Sequence, residues 1–555
     1  MEAHLKGATM DTHDQDDSGV SRRHILRLAA GAGVAATLAA CGGGNATTPP
    51  TGGQPAASAA GGVVAPAASN ATAVSAVTNV GATSIPLPTS GVKLPTEKLT
   101  LHWVQSGPGP KGVFLKEYLA SYQHAHPNIT IQLDELPWPE INKLVPLGVQ
   151  NGNAPDVFQI PQGFTNGQAV GQGWVQPLDT VIPNFAQWKA GFPAGTFVNG
   201  ITTFNGKTYT IPLSSNRVYG TLLLYNVDYL KQAGIDPQAK PMTWDEYRAA
   251  AKKLTQQGGG KYYGVIFEGA QTSNWGLDVR NLARMAGAVG NDEDINWKTG
   301  EYNYLTDQYL AAIDLLLGLK ADGSVFPGSL SLNAQQARAQ FPHGVAGMML
   351  QGPWNIEQWK AGNPDFNFDV ASVPVPNTGT PMPLTYGPGG ANQLWVYAKT
   401  RYTAIAGDLL SYLGTEQGQE TYVTLSGGGE PAIFPKANQI PTVDPRVRKV
   451  NALFEHQMRL GPSPDARNPD VEKVNLEHKT VTPDFGTVVQ GIYTGQLSDP
   501  RKAMQDLKDR ADKELDRAIK AAQAKGAKIS RDDFVFANWD PTKDYTDADY
   551  AALKK

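Results

Sequence analysis

Hydrophobic and polar positions follow two alternating periods over the first part of the folded region. Residues 99–104, 129–133 and 156–160 have the short apolar or alternating patterns of strands. Residues 113–124 and 141–149, between them, have the spacing of helices. Repeated strand–helix units imply a largely parallel sheet with helices on its faces. The pattern therefore predicts an α/β fold.

Later segments add strands and helices with clear start signals. Thr243 and Glu246 have the spacing of a capping box, so a helix is predicted to begin there. Asp499 followed by Pro500 predicts the start of a long helix, which Gly526 is expected to end. Three later apolar runs read as buried strands: 345–350, 368–373 and 392–398.

The first 41 residues have the pattern of an export signal. Residues 21–27, with paired arginines, resemble a twin-arginine signal, and the apolar run at 28–40 is shorter than the roughly 20 residues that span a bilayer. Residues 38–41 resemble a bacterial lipobox, and Cys41 is the only cysteine in 555 residues. We predict a twin-arginine lipoprotein signal peptide at 1–40 and lipidation of Cys41. The alternative is an ordinary secretion signal with an incidental cysteine.

The next segment has a very different composition. Residues 41–95 are mostly Gly, Ala, Thr, Ser, Pro and Val with hardly a charge, so we expect a disordered linker. Such a flexible segment has a reach on the order of 40 Å. From Glu97 onward, roughly 460 residues carry aromatic and periodic apolar positions. That length exceeds one hydrophobic core and predicts two lobes.

The charge balance limits the possible partners. Without residues 1–40, the chain keeps 43 Lys and Arg against 46 Asp and Glu, a formal charge of −3. Such a balance argues against nucleic acid and gives no reason to expect electrostatic binding to anionic lipid. No later segment has the long uncharged run of a transmembrane helix. We therefore expect the N-terminal lipid to be the membrane anchor.

Several segments, in a fixed order over roughly residues 99–525, resemble one family. That family is the extracytoplasmic solute-binding proteins of ABC transporters (extracellular solute-binding protein family 1), in the branch that mostly handles carbohydrates. The segments that carry the resemblance are 154–158, 173–179, 205–212, 223–226, 229–236, 242–246, 344–350 and 352–354.

The resemblance implies a two-lobe periplasmic-binding-protein (venus-flytrap) fold with discontinuous lobes and hinge crossings. The expected N-lobe comprises 96–211 plus about 335–373, and the expected C-lobe comprises 212–334 plus about 374–555. The family's role implies an extracytoplasmic, lipid-anchored monomer that binds a sugar or oligosaccharide between the lobes. It would deliver this solute, or a related polar solute, to the permease subunits without cofactor or catalysis. If the cell has an outer membrane, the protein is expected in the periplasm.

Three candidate ligand-binding residues follow predicted strands. Ligands of open α/β sheets lie beyond the carboxyl ends of strands, and sugars need an aromatic plane beside polar side chains. Gln105 and Gln162 follow two early strands, and solvated loop positions are the alternative for both. Trp354 follows the strand at 345–350, so we expect it to stack on a sugar ring. Its alternative is packing beneath its own helix.

Five further candidates lie in loops. Asn216 follows the segment at 205–212, where the resemblance implies that the chain crosses between the lobes, and an exposed polar loop is the alternative. Tyr386, Gly389 and Gly390 belong to a Gly-rich loop whose backbone amides are able to approach a ligand closely, with a plain loop as the alternative. Glu430 lies in a second Gly-rich turn.

Two more tryptophans have an ambiguous position. Trp275 lies at a predicted helix start, where it would form a second aromatic wall or pack in the core. Trp138, between two prolines, would line the rim of the cleft or cover a loop.

Other chemistry has little support in the sequence. The acidic run at 291–296 lacks the ligand spacing of an EF-hand, so we expect a solvated loop and no metal site. No phosphate-binding loop, nucleophile elbow or dinucleotide fingerprint is present. A surface-anchored, glycoside hydrolase-like carbohydrate-active enzyme remains the alternative, because two unmarked carboxylates suffice for that reaction. A sensor subunit is a third possibility.

Overall fold

A computed structural model of the chain describes residues 85, 87, 91–193, 195–290, 294–440 and 443–553. The predicted signal peptide, Cys41 and most of the linker lie outside the described residues. No helix within the described ranges is long and apolar enough to cross a membrane. Two sheets with separate hydrophobic cores define two lobes, which confirms the predicted two-lobe α/β fold.

The first lobe is built on a five-stranded sheet in the order β2-β1-β3-β12-β6. β1, β2 and β3 are parallel, and β12 pairs antiparallel with both β3 and β6. The strands are β1 (Leu99–Ser106), β2 (Ile129–Leu136), β3 (Val157–Phe158), β6 (Thr210–Ser214) and β12 (Ala391–Val396), and a hairpin adds β4 (Thr203–Phe204) and β5 (Lys207–Thr208). The helices are α1 (Pro110–Ala125), α2 (Trp138–Asn151), α3 (Asn166–Gly171), α4 (Phe185–Ala190), α11 (Thr403–Leu413) and α12 (Glu416–Ser426).

The second lobe is built on a four-stranded sheet in the order β10-β7-β9-β8. Its strands are β7 (Leu222–Asn226), β8 (Tyr263–Val265), β9 (Ala346–Gln351) and β10 (Phe368–Ala371), and β11 (Leu384–Tyr386) pairs with β13 (Met458–Leu460). Its helices are α5 (Val227–Gln232), α6 (Trp244–Gly258), α7 (Thr272–Met285), α8 (Asp307–Ala321), α9 (Ala334–Gln340), α10 (Asn355–Gly362), α13 (Pro445–Gln457), α14 (Pro464–Arg467), α15 (Val471–Glu477), α16 (Phe485–Thr494), α17 (Pro500–Ala524) and α18 (Asp547–Ala552).

Two hinge segments join these sheets, at residues 215–221 between β6 and β7 and at residues 387–390 between β11 and β12. After residue 440 the chain enters the second lobe again, where α13 packs on β10. The predicted assignment of 335–373 to the N-lobe and of everything from 374 to the C-lobe is therefore wrong. β9 and β10 belong to the second sheet and β12 to the first. An apolar strand pattern indicates burial but does not encode which sheet the strand joins.

The end of the predicted linker also differs from the expectation. Ile85 is buried in the core of the first lobe, and Leu87 and Leu94 pack against the same core. The Ile85 amide donates a hydrogen bond to the Ser121 hydroxyl at 3.3 Å. The prediction used the average composition of the segment, which favours disorder, and so it did not detect these isolated apolar residues.

Local capping signals are confirmed. At the start of α6 the Glu246 amide donates to the Thr243 hydroxyl at 3.2 Å, and the Thr243 amide donates to the Glu246 carboxylate at 2.8 Å. The Asp499 carboxylate accepts from the Lys502 amide at 3.0 Å and caps α17, which follows directly at Pro500. Each cap satisfies backbone donors that a helix start leaves free.

The closing segment packs onto the second lobe. Phe536, Trp539 and Tyr545 form a small buried aromatic cluster with Trp297. The rings of Trp297 and Trp539 meet edge-on, with centroids 4.9 Å apart. This cluster attaches the C-terminal segment beside residues 294–304 of the second lobe.

Candidate functional site

A cavity of about 220 Å³ lies between the two lobes. The first lobe contributes residues 106–111 after β1, Trp138 after β2, the start of β12 and Glu430. The second lobe contributes Gln335 and Arg338 from α9 and Trp354 after β9, and Val218 of the hinge completes the wall. The first-lobe strands thus meet the cavity at the sheet edge where ligands of α/β proteins bind.

Trp354 owes its position to two glycines. A β-carbon at Gly352 would lie 2.2 Å from the indole, and one at Gly220 would lie 3.1 Å from it. Any side chain at Gly352 would therefore displace the ring. The half-buried indole rests on the backbone of these two residues and forms an apolar wall of the cavity. An aromatic face of this kind stacks on the CH face of a sugar.

A network of polar groups forms the opposite wall in the first lobe. The Asn392 amide nitrogen donates to the Glu430 carboxylate at 2.8 Å, and the Tyr422 hydroxyl donates to the same oxygen at 3.2 Å. The Lys111 ammonium donates to the Ser106 hydroxyl at 2.8 Å and to the Asn392 side-chain oxygen at 3.0 Å. These contacts fix a carboxylate and an ammonium in the same cavity as Trp354, and both suit recognition of hydroxyl groups.

The second-lobe wall carries a guanidinium in front of a buried carboxylate. The Arg338 guanidinium carbon lies 5.2 Å from the centre of the Trp354 ring. Behind it, the Gln351 side chain donates to Glu268 at 2.6 Å, and the Asn274 side chain donates to the same oxygen at 2.7 Å. Burial raises the pKa of Glu268, and burial followed by the charge of Glu268 raises the pKa of Asp278 well above its usual range.

A larger cavity of about 490 Å³ also borders both lobes. Asn216 and Tyr386 line it, together with residues 164–167 of the first lobe and 462–465 of the second. The Asn216 side chain donates to the carbonyls of Gly387 and Pro388, at 3.1 Å each, and ties the two hinge segments together. Asp465 is the only carboxylate among the described residues that line this cavity, and no Lys or Arg lines it there.

Of the nine predicted ligand-binding residues, Trp354 and Glu430 line the smaller cavity and Asn216 and Tyr386 line the larger one. Gln105 is buried near the end of β1, one residue before Ser106. Gln162 accepts a hydrogen bond from the Ser273 hydroxyl across the lobes at 2.9 Å.

Three predicted residues have structural contacts instead. Trp275 is buried in the second-lobe core, and its indole nitrogen donates to the Gly269 carbonyl at 3.0 Å. A β-carbon at Gly389 would lie 2.7 Å from Ile201, and one at Gly390 would lie 2.3 Å from Pro212. These glycines, both with positive φ, allow the hinge loop to pack closely on the first lobe.

Sequence reasoning missed Lys111 and Arg338, the two cations of the smaller cavity. Lys111 follows the strand β1 at the first turn of α1, so its position beyond a strand end was an available signal. Arg338 lies on a short helix far from any predicted strand end, and only the fold brings it beside Trp354. Trp138 lines the rim of this cavity, which is the first of the two positions predicted for it.

The two discontinuous α/β lobes and the cavity between them define a two-lobe solute-binding protein. The chain matches the model of the bacterial extracellular solute-binding proteins over residues 106–420, and it belongs to that family. A putative binding protein of Brucella abortus is 27% identical over 268 residues, 48% of this chain and 61% of that protein. The chain thus spans about six-tenths of the length of this relative.

Solved structures show the same fold. One of them is an ABC transporter solute-binding protein from Thermotoga lettingae, bound with α-D-tagatose, with a TM-score of 0.58 and 19% sequence identity. The match covers 76% of this chain and 100% of the Thermotoga lettingae chain. Another is the GacH receptor of Streptomyces glaucescens, solved unliganded and with acarbose, with a TM-score of 0.56 and 18% sequence identity. The match covers 75% of this chain and 98% of the GacH chain.

Proposed function

We propose that the protein is the extracytoplasmic receptor of an ABC importer that binds a sugar or related polar solute in the smaller interlobe cavity. The observation that carries the proposal is the indole of Trp354 facing Glu430, Asn392 and Lys111 across this cavity. The second lobe supplies the aromatic plane and the first lobe supplies the polar groups. A solute that contacts both lobes favours the conformation in which they approach each other.

The relatives support a solute of this class. The protein from Thermotoga lettingae carries a monosaccharide, and the GacH receptor binds acarbose. The cavity is slightly smaller than the about 300–1,000 Å³ of pockets for drug-sized ligands. A ligand that places about one sugar ring on Trp354 fits this volume. Delivery to a permease follows from the function of the family.

The enzyme alternative has less support. Hydrolysis of a glycosidic bond commonly uses two carboxylates that flank the bond. Among the described residues that line the smaller cavity, Glu430 is the only carboxylate, and Asn392 and Tyr422 both donate to it. Glu268 and Asp278 lie outside this lining and form a buried pair in the second lobe. This arrangement suits binding without turnover.

A panel of sugars tests the function. We expect at least one mono- or oligosaccharide to raise the unfolding temperature of the protein, because a ligand that binds only the native state stabilises it. At a ligand concentration of 100 times Kd, the free energy of unfolding increases by about 2.7 kcal/mol. We also expect the same sugar to be recovered intact after prolonged incubation. Release of reducing ends would favour the enzyme, and absence of any thermal shift would contradict the proposal.

We further propose that lipidation of Cys41 anchors the protein to the outer face of the cell membrane, after export by the twin-arginine route. The only cysteine of the chain follows an apolar segment and the paired Arg22 and Arg23. The expected result is that Cys41→Ser moves the protein from the detergent phase to the aqueous phase and abolishes labelling by a fatty-acid analogue. Equal partition of the variant and the parent would contradict anchoring through Cys41. Cytoplasmic retention of Arg22→Lys/Arg23→Lys would support the export route.

A further inference from the structure

Two cations line the smaller cavity from opposite lobes. Lys111 lies in the first turn of α1 in the first lobe, and Arg338 lies on α9 in the second lobe. Both residues are half-buried. Among the described residues that line the cavity, two positively charged side chains thus accompany one carboxylate, Glu430.

Neither cation is neutralised by an ion pair within the described parts of the chain. The Lys111 ammonium donates to two neutral oxygens, those of Ser106 and Asn392. The Arg338 guanidinium makes one long hydrogen bond, to the Gln351 side chain at 3.4 Å, and otherwise stacks on Trp354. An ammonium has three donors and a guanidinium has five, so donors remain on both groups.

Carboxylates outside the cavity lining also act on these two cations. Burial lowers the pKa of Lys111; Glu430 opposes this effect, Arg338 adds to it and Glu135 opposes it. Burial lowers the pKa of Arg338 to about 10, against the charges of Glu268 and Glu430. Glu135 itself pairs with Lys116. The charge of Arg338 also disfavours the charged form of Lys111 across the gap between the lobes.

We infer that the solute carries a negative charge, and that the site binds a sugar or polyol bearing a carboxylate or phosphate group between Lys111 and Arg338. This inference rests on the proposed function and specifies its ligand class. Arginine forms paired hydrogen bonds with both kinds of anion, and lysine adds a point charge. An anion held by one cation from each lobe replaces their repulsion by two attractions and so favours closure of the lobes.

Matched pairs of sugars test the inference by calorimetric titration of the mature protein. The pairs are glucose and glucuronate, galactose and galacturonate, and glucose and glucose 6-phosphate. We expect an acidic member to bind at least about 10-fold more tightly than its neutral partner, and the carboxylate and phosphate arms distinguish the two anions. Equal or tighter binding of the neutral partners overturns the inference. Binding of no sugar of either kind overturns the proposed function as well.

Substitutions of the two cations test whether they cause the preference for an acidic sugar. Lys111→Met and, separately, Arg338→Met are expected to weaken binding of the acidic sugar about 10- to 100-fold and of its neutral partner less than about 3-fold. Lys143→Met, which removes an exposed lysine of α2, is the control and should leave both affinities unchanged. Equal losses for acidic and neutral sugars would show a purely structural role and overturn the inference. Two independent variants keep the test valid if one of them folds poorly.

Discussion

Replacing Trp354 by alanine is expected to weaken sugar binding about 100-fold, equivalent to about 2.7 kcal/mol. The indole supplies the aromatic wall of the smaller cavity and lies against the backbone of Gly352 and Gly220. No other described side chain is placed to replace this surface, because Trp138 lies on the opposite lobe. Isothermal titration with the sugar identified in the panel measures the loss.

Trp188→Ala provides the matched control. Trp188 is also half-buried, but it packs against Phe192 in the first lobe and lines neither cavity. Its removal should change stability without changing affinity. A Trp354→Ala protein that binds as tightly as the parent would show that the ligand lies elsewhere.

Asp294→Asn is expected to lower the free energy of unfolding by about 3–5 kcal/mol. The Asp294 carboxylate accepts from the Arg280 guanidinium at 2.6 and 2.8 Å and from the Tyr309 hydroxyl at 2.6 Å. The Asp294 side chain is 2% exposed and that of Arg280 is 17% exposed. The neutral amide would remove the negative charge of Asp294 from its paired contact with a largely buried guanidinium. Asn tolerates the positive φ of this position, so the change adds no backbone strain.

A second Asp–Arg pair serves as the control for this measurement. Arg248 also donates two hydrogen bonds to the carboxylate of Asp322, at 2.5 and 3.2 Å, but the Arg248 side chain is 43% exposed. Asp322→Asn should therefore cost no more than about 1 kcal/mol. Chemical denaturation of both variants measures the difference. Equal losses in the two variants would contradict the assignment of the Asp294 effect to burial.

The sequence predicted the elements whose signals are local. The capping box of Thr243 and the Asp499–Pro500 helix start depend only on neighbouring residues, and both are present in the structure. The turn between β4 and β5 is equally local, since Asn205 and Gly206 both have positive φ, which these residue types accept. Trp354 was chosen as a candidate because it follows a strand, and that strand lies in the other lobe from the one expected.

The features that the sequence did not predict depend on long-range pairing. The acidic run at 291–296 was expected to be a solvated loop, yet Asp294 is buried against Arg280 of α7. The charge of the cavity was missed for the same reason. Lys111 and Arg338 are separated by more than two hundred positions, and only the packing of the two lobes brings them to one cavity. The sequence contains no basic cluster near the predicted site residues, and the fold brings these two cations into one cavity.

The crystal structure of the protein with its tightest-binding sugar tests the central claim most directly. The account predicts a sugar ring stacked at about 4 Å from the Trp354 indole, with hydrogen bonds from residues of both lobes. Glu430 and Lys111 of the first lobe and Arg338 of the second should contact it. A sugar bound in the larger cavity beside Asn216 and Tyr386, or on the outer surface of one lobe, would contradict the account.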